Sequence, residues 1–384
     1  MEKRNGPGWP WIIPGLKKLK VMMDRETIIS TGFRIIQLLI FLYLFLFSIN
    51  LMGASLKMFG KGFAETLIAS TSVPLVGLFI GILATSLIQS SSSTTAIVVG
   101  MVGGGVLTVP IAIPIIMGAN IGTSVTNTLV SLAHINRSLE FRRSFSASTV
   151  HDFFNLLAVL VIFPLQISTD FLGRTATFFA GQFQSAGGLR LFNPVKAATK
   201  PLVNLLAQWM GQYPWILLAL SLILLLLSLK FMVGALRVLA VKKAEVWFDR
   251  VLFRTAIRAF VVGFLLTILA QSSSITTSLI IPMAGAGILT LEQIFPYTLG
   301  ANVGTTFTAI LAALAIGSPN ALVVAFVHLL FNITGIGIWW PLRKLPLFLA
   351  RRVSDIAIRN RIFPLVYIAV VFFLVPLAVI LLLG

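Results

Sequence analysis

Cysteine is absent from this chain of 384 residues, and charge of either sign is scarce. The lack of thiols excludes disulfide bonds and thiolate metal sites. Only 10% of the residues are charged and 58% are apolar, whereas about 25% of the residues of a soluble globular domain carry charge. The composition therefore excludes an ordinary soluble domain and indicates an integral membrane protein.

Several continuous apolar runs reach the length of about 20 residues that a helix needs to cross a bilayer. The plainest runs are residues 35–56, 147–168, 213–236, 321–341 and 362–383. Backbone amides in lipid must hydrogen-bond within their own segment, and these runs lack the alternation of polar and apolar residues that a membrane strand requires. The sequence therefore predicts an all-α integral membrane protein.

Basic residues outnumber acidic ones by 29 to 11, which gives a net charge of +18. They lie mainly in the connectors that flank the apolar runs, where the positive-inside rule accounts for them. We therefore expect the lipid bilayer, and not a nucleic acid, as the partner of this charge. Counting spans from a cytoplasmic segment, residues 1–33, places the connectors 137–143, 237–258 and 343–361 in the cytoplasm. The same count predicts a multi-pass protein of the cell membrane with an external C-terminus.

Two stretches of the sequence occur twice at a constant offset of 182 residues. QSSSSTTAIVVGMVGGGVLT begins at Gln89 and QSSSITTSLIIPMAGAGILT begins at Gln271; GANIGTSVT begins at Gly118 and GANVGTTFT begins at Gly300. Without a gap, residues 89–133 and 271–315 share 21 identities in 45 positions. This similarity predicts an internal duplication whose repeated part is polar within apolar surroundings.

The apolar run at residues 75–105 is interrupted in its middle by Gln89 and a row of serines and threonines. A straight helix would turn these side chains toward lipid, so we expect a re-entrant helical hairpin whose tip lies inside the protein. Each half then reads as a spanning helix, this hairpin, a discontinuous helix interrupted at its glycines, and a second spanning helix. Three crossings per half is an odd number, which predicts two repeats of inverted topology with a site between them near the midplane.

These patterns divide the chain into five segments. We predict a cytoplasmic or interfacial N-terminal segment at 1–33, repeat 1 at 34–168, an extracellular linker at 169–212, repeat 2 at 213–341, and a basic loop with a final transmembrane helix at 342–384. The linker is rich in Gly, Asn, Thr and Pro, which is typical of a boundary between structural units.

The repeated motifs offer hydroxyl and amide groups, which supply hydrogen-bond donors as well as acceptors. Such a lining suits a small hard cation together with an oxyanion. The residues concerned are Gln89, Ser90, Ser91, Ser92, Asn120 and Thr123 in the first half, and Gln271, Ser272, Ser273, Asn302 and Thr305 in the second. The half-helices that follow the tips begin near Ser92 and Ser274, where free N–H groups and the positive end of the helix dipole favour an anion.

Countercharge is missing beside these motifs. No Lys or Arg neighbours a QSSS or GAN motif, and we expect all eleven acidic residues, Glu65 and Asp152 included, to lie in loops or near span ends. A divalent anion entering such a site would face a large desolvation cost, which bound cations would offset. We therefore expect the cation and the anion to bind cooperatively. His151 and His328 are predicted to begin helices at matching positions and to make structural hydrogen bonds.

Four motifs resemble those of the type II sodium-dependent phosphate cotransporters, in the compact form of their bacterial members. They are QSSS followed by PIIMGANIGTSVTNT, then FRRSFSASTVHDFFN, the second QSSS with TLGANVGTT, and HLLFNITGIGIWWP. The resemblance extends over residues 35–380. It implies a secondary active symporter, not an enzyme, that imports inorganic phosphate by alternating access with sodium as the coupling ion and no other cofactor. In a bacterial cell this function belongs to the inner membrane.

The resemblance also implies which residues bind the two ions. Phosphate and sodium would share the QSSS tips, and the GAN segments would complete the sodium coordination. With the helix starts included, the predicted phosphate ligands are Gln89, Ser90, Ser91, Ser92, Gln271, Ser272, Ser273 and Ser274. The predicted sodium ligands are Gln89, Ser90, Asn120, Thr123, Gln271, Ser272, Asn302, Thr305 and Thr308.

The prediction of phosphate as the substrate rests on the family motifs, because neutral oxygen ligands alone do not distinguish a tetrahedral phosphate from a sulfate. A sodium-coupled carrier for sulfate or a dicarboxylate therefore stays open. A membrane enzyme or scaffold is disfavoured, because no acid, histidine pair or nucleophile with its base lies beside the polar tips in the sequence. Assembly into a homodimer is a further alternative that the residues leave open.

Overall fold

The computed structural model describes residues 25–59, 73–186, 193–247, 253 and 255–384. All regular elements in these ranges are helical, which confirms the predicted all-α class. Residues 1–24, most of the predicted N-terminal segment, lie outside the described residues, as does Glu65.

The predicted first repeat forms six α-helices among its described residues, with one 3₁₀ turn before the last. They are α1 (Arg25–Met58), α2 (Pro74–Ile88), α3 (Ser91–Gly103), α4 (Val109–Gly122), α5 (Ser124–Ser131), the 3₁₀ turn (Leu132–His134) and α6 (Ser138–Thr169). The predicted linker is not a plain loop, because it contains α7 (Phe171–Ser185) and α8 (Asn193–Met210).

The predicted second repeat follows with the same order of elements. It consists of α9 (Pro214–Trp247), α10 (Ala256–Ala270), α11 (Ser273–Gly285), α12 (Leu291–Ile316) and α13 (Pro319–Trp339). The predicted basic loop is largely helical, as α14 (Lys344–Arg359). The chain then continues through α15 (Phe363–Ala369), a π-helical turn (Val370–Leu374) and α16 (Val375–Leu383).

Within the described residues, seven helical segments are long and apolar enough to cross a membrane. They are Ile36–Met58, Val109–His134, Ser138–Thr169, Pro214–Phe231, Leu291–Ile316, Pro319–Trp339 and Phe363–Leu383. The sequence predicted a span at each of these places. The helices around the QSSS motifs have only 13 to 15 residues, or about 20 to 23 Å at 1.5 Å per residue, and are too short to cross a core of about 30 Å.

The predicted discontinuous helix occurs in the first half only. There α4 gives way to α5 at Thr123, which keeps right-handed helical dihedrals (φ −56°, ψ −32°), so the chain direction continues through the interruption. Its counterpart α12 runs without a break past Gly300 and Gly304. The prediction of a broken helix in the second half is therefore wrong, since the backbone stays helical at both glycines.

That packing is a close backbone contact between the first arm of each hairpin and the long helix that follows. A β-carbon at Gly118 of α4 would overlap the carbonyl oxygen of Leu78 in α2. At the same offset, a β-carbon at Gly300 of α12 would overlap the carbonyl oxygen of Phe260 in α10. Small residues at membrane helix interfaces allow this approach, so the repeated glycines have a structural reason.

The two halves also exchange contacts with each other. Gly103, at the end of α3, faces Ile316, the last residue of α12, and a β-carbon there would lie 2.6 Å from the Ile316 Cγ2 atom. Gly285, its counterpart at the end of α11, faces Ser144 and His134 of the first half. At the repeat offset of 182, position 103 corresponds to position 285, and position 134 corresponds to position 316. The end of each hairpin therefore contacts the end of the helical segment that follows the hairpin in the other half.

Candidate functional site

Each QSSS motif forms a sharp kink between two short helices. Gln89 ends α2 in the left-handed conformation (φ 57°), and its N–H donates to the Thr85 carbonyl at 2.7 Å. Ser90 is extended (φ −153°), and its Oγ accepts from the N–H of Ser93 at 3.2 Å, which caps the start of α3. A serine at this position satisfies one of the free N–H groups of the new helix. The motif therefore stops one helix and starts the next within two residues.

The second tip repeats this geometry. Gln271 is left-handed (φ 51°) and ends α10, and the Oγ of Ser272 accepts from the N–H of Ile275 at 3.4 Å. The first two serines of both following helices are buried: Ser91, Ser92, Ser273 and Ser274. Their N–H groups lie in the first turn, where a helix provides no acceptor of its own. Each tip thus presents buried hydroxyls at a positive helix end.

Side-chain contacts join two of the predicted sodium ligands at the second tip. The Thr308 hydroxyl donates to Oε1 of Gln271 at 2.8 Å, and Nε2 of Gln271 donates to the Ile268 carbonyl at 2.6 Å. Thr305 lies one turn earlier in α12, where its hydroxyl donates to the Ala301 carbonyl at 3.0 Å. Gln271 is 7% exposed, so this cluster is inside the protein.

The first tip lacks the matching cluster. Gln89 is exposed, and its side chain makes no hydrogen bond among the described residues. Thr126, the counterpart of Thr308, has a buried hydroxyl oxygen without a partner in the described structure. Thr123 donates to the Ala119 carbonyl at 3.1 Å, as Thr305 does in the second half. Thr126 is not among the residues predicted from the sequence, although its place in GTSVT matches Thr308 in GTTFT.

Asn302 of the second GAN motif contacts α6 of the first half. Its Oδ1 lies 2.5 Å from Nε2 of His151, and its Nδ2 donates to Oδ1 of Asn155 at 3.0 Å. Asn155 in turn donates to the Asn120 carbonyl at 3.0 Å. The two repeats are therefore joined by a buried polar network in which the oxygen of Asn302 already has a protein partner.

Asn120 makes the reciprocal contact with α13 of the second half. Its Oδ1 accepts from Nδ2 of Asn332 at 3.3 Å and lies 3.3 Å from Nε2 of His328. His151 and His328 lie inside α6 and α13, so the prediction that they begin helices is wrong. Their predicted role in hydrogen bonding between elements agrees with these contacts. The VHDFFN and VHLLFN segments meet the GAN motifs because α6 and α13 each pack on the long helix of the other half.

Asp152 corrects the expectation that every acidic residue lies in a loop or near a span end. It is fully buried in the middle of α6. Its Oδ2 accepts from the Tyr367 hydroxyl at 3.0 Å and from the Thr128 hydroxyl at 3.5 Å. Its Oδ1 has no partner among the described residues. The segment before it is polar and looked like a connector, yet it continues the helix back to Ser138.

Comparison with known proteins decides the family. The family model described as Na+/Pi-cotransporter matches residues 44–184 and 224–341, which include both tips, both GAN motifs and both histidine segments. The chain belongs to the Na+/Pi-cotransporter family. This confirms the resemblance seen in the motifs and assigns the chain to a family of transporters, not of enzymes.

Individual relatives agree with the family match. Sodium-dependent phosphate transport protein 2B of Pongo abelii is 34% identical over 478 residues, covering 96% of this chain and 69% of the relative. The human protein of that name is 34% identical and covers 90% of this chain and 64% of the relative. Sodium-dependent phosphate transport protein 2A of Mus musculus is 34% identical, with 88% and 66% covered. No solved structure matches the chain.

Proposed function

We propose that this protein is a sodium-coupled symporter that imports inorganic phosphate by alternating access. The observation that carries the proposal is the doubled QSSS kink, with buried serines at two helix starts, in a chain of the Na+/Pi-cotransporter family. The relatives named above are sodium-dependent phosphate transport proteins, and the family match spans the segments that build both kinks.

Inverted repeats with re-entrant hairpins are part of this proposal. The arms of each hairpin are too short to cross a bilayer, and the residues at each tip are polar. The exchanged contacts, Gly103 with Ile316 and Gly285 with His134, support an approximate two-fold relation between the halves. Transporters with such repeats bind their substrate between them and move one part against the other.

The basic connectors support the proposed orientation. Nε of Arg142 donates to Oδ1 of Asp355 at 2.6 Å, and Arg351 pairs with Glu292. These contacts bring the start of α6, the start of α12 and α14 to one end of the molecule. By the positive-inside rule this basic end is cytoplasmic, with the last span leading outward.

Phosphate is proposed to bind between the two tips. Its ligands would be the QSSS residues Gln89, Ser90, Ser91, Ser92, Gln271, Ser272, Ser273 and Ser274, whose N–H groups and hydroxyls donate to an oxyanion. No Lys or Arg occurs in α3, α4, α11 or α12. The compensating positive charge therefore has to arrive with the anion.

Sodium ions are proposed to supply that charge. The Gln271 and Thr308 oxygens, 2.8 Å apart, are close enough to bind one cation. Gln89, Ser90, Thr123, Ser272 and Thr305 would add oxygens, whereas Asn120 and Asn302 would have to exchange their histidine contacts for the ion.

Flux into proteoliposomes tests the proposal. With an inward sodium gradient, radiolabelled phosphate should accumulate, and replacement of sodium by choline should abolish the accumulation. Excess sulfate, arsenate and succinate are tested as competitors, because suppression by sulfate or succinate and not by arsenate would indicate another oxyanion as substrate. Equal phosphate uptake in sodium and in choline would contradict sodium coupling.

A further inference from the structure

A cavity lies at the basic end of the molecule, outside the two tips. It has a volume of about 350 Å³ and lies between α6, the turn that follows α11, the first turn of α12, and α14. The hairpin arm α11 has 13 residues and separates this cavity from the second tip by about 20 Å. It is therefore distinct from the proposed transport site.

Three arginines and one acidic residue line this cavity: Arg142, Arg143, Arg351 and Glu292. Arg351 is paired with Glu292, and Arg142 with Asp355. Arg143 lines the same cavity and makes no ion pair among the described residues. The cavity thus has one uncompensated guanidinium group.

The guanidinium group of Arg143 rests against the backbone of the second hairpin's exit turn. Gly287 is left-handed (φ 75°), and a β-carbon there would lie 2.6 Å from Nη1 of Arg143. Its counterpart Gly105 has the same conformation (φ 79°) but only open space at that position. The hairpin fold therefore does not require the arginine, and its placement on Gly287 is particular to this end of the molecule.

We infer that this cavity is a peripheral site for a phosphate-class oxyanion, with Arg143 as its principal ligand. A planar guanidinium group with free donors matches the oxygens of a tetrahedral anion. The three arginines of the lining outnumber its one acidic residue, so the lining has a net positive charge that attracts anions to the cavity. The ligand is inorganic phosphate or the phosphate of a lipid headgroup. Its role as a waiting site for phosphate that leaves the tips rests on the proposed function; the binding itself does not.

A single introduced thiol tests the site, because the chain contains no cysteine. Leu139 lines the cavity and is 59% exposed, so Leu139→Cys gives one accessible thiol. Its rate of reaction with an anionic thiol reagent is measured in nanodiscs of neutral lipid, in choline and at constant ionic strength. Inorganic phosphate should slow the reaction. Arg143→Gln should lower the basal rate by about 3- to 10-fold and remove the protection, with Arg143→Lys in between.

Arg352→Gln is the matched control. It removes the same charge from the neighbouring helix α14, but Arg352 lies over the Phe348 ring at 5.1 Å and does not line the cavity. Protection by phosphate should persist in this variant. If protection persists in Arg143→Gln, or is lost equally in Arg352→Gln, the assignment to Arg143 is wrong.

A second lipid composition distinguishes the two sources of the anion. Arg143-dependent protection by inorganic phosphate in neutral nanodiscs supports a site for the free ion. Arg143-dependent protection that appears only with phosphatidylglycerol supports a headgroup site. Absence of protection in both compositions overturns the inference. Failure of the proposed function is seen separately, as loss of sodium-driven uptake by the parent protein, and it leaves the labelling measurement unaffected.

Discussion

The two hairpin tips have the same backbone but differ in how their threonine hydroxyls are paired. At the second tip, Thr267 lies 2.7 Å from the Thr276 hydroxyl, Thr277 donates to Asn127 at 2.8 Å, and Thr308 donates to Gln271 at 2.8 Å. At the first tip, the counterparts have no partner within the part of the chain that the structure describes: Thr85, Thr95 and Thr126.

One substitution between the repeats and one difference in burial account for part of this difference. Asn127, which accepts from Thr277, has Ala309 as its counterpart, so Thr95 finds no amide there. Gln89 is exposed, whereas Gln271 is buried, so the Thr126 hydroxyl has no glutamine oxygen to which it can donate. A buried hydroxyl without a partner costs about 1 to 3 kcal/mol. The first tip therefore has three threonine hydroxyls without a protein partner, whereas the matching hydroxyls of the second tip are bonded to protein.

The largest effect is expected where the two tips are alike. Gly118→Ala and Gly300→Ala should each lower the free energy of unfolding by about 3 kcal/mol, because the new methyl group meets a backbone carbonyl that cannot move aside easily. Gly53→Ala, with open space around it, is the control and should be neutral or stabilising. Thermal unfolding in detergent measures all three. A small effect at one glycine only would show that the repeats do not share this contact.

The second-largest effect on stability is expected at the second tip only. Thr308→Val removes the donor to Gln271 and should destabilise the protein by about 1 to 2 kcal/mol, because the buried amide oxygen loses its partner. Thr126→Val replaces an unpaired hydroxyl by a methyl group and should be neutral or stabilising. Denaturant unfolding of the matched pair measures the difference. Equal losses would mean that Thr126 has a partner in solution.

Transport should again depend on both tips. Ser91→Ala and Ser273→Ala should each raise the apparent KM for phosphate about 5-fold, which corresponds to about 1 kcal/mol, because each removes one buried hydroxyl at a helix start. Uptake kinetics in proteoliposomes provide the measurement, with thermal unfolding as the check on folding. An effect confined to one serine would place the substrate at one tip instead of between them.

The smallest effect concerns the contact between repeats. Thr277→Val should destabilise by about 0.5 to 1 kcal/mol, less than Thr308→Val, because Ser278 also donates to Asn127 at 3.3 Å and keeps that oxygen bonded. Thr95→Val should cause no loss of stability. Unfolding curves for the pair, recorded together with Asn127→Ala, test the assignment. If Thr95→Val proves the more harmful of the two, the comparison of the tips is wrong.

Local patterns predicted the parts of this fold that depend on local interactions. Apolar length located the spans, and the repeat offset located both kinks, since a serine that caps a helix acts within four residues of its own position. The burial of Asp152 was not predictable in this way. Its partner Tyr367 is 215 residues further along the chain, so the environment of the carboxyl group arises only when the last span packs on α6.

The other differences from the predicted structure also arise from contacts between distant parts of the chain. The helix α12 is continuous whereas α4 is interrupted at Thr123, although both contain the GAN motif and pack their glycines on the preceding hairpin arm, so the motif does not encode this difference locally. Asn302 contacts His151 of α6, and Asn120 contacts His328 of α13. These contacts between the halves likewise depend on tertiary packing. The candidate tips were visible in the sequence as a repeat, whereas the pairing that distinguishes them needed tertiary contacts.

The most direct test of the central claim is equilibrium binding of labelled phosphate to the purified protein, in sodium and in choline at equal ionic strength. Two tips of neutral oxygens are expected to hold the anion only together with the cation, so phosphate affinity should fall at least about 10-fold in choline, and phosphate should raise sodium affinity by the same factor. Equal phosphate affinity in both solutions would contradict the account.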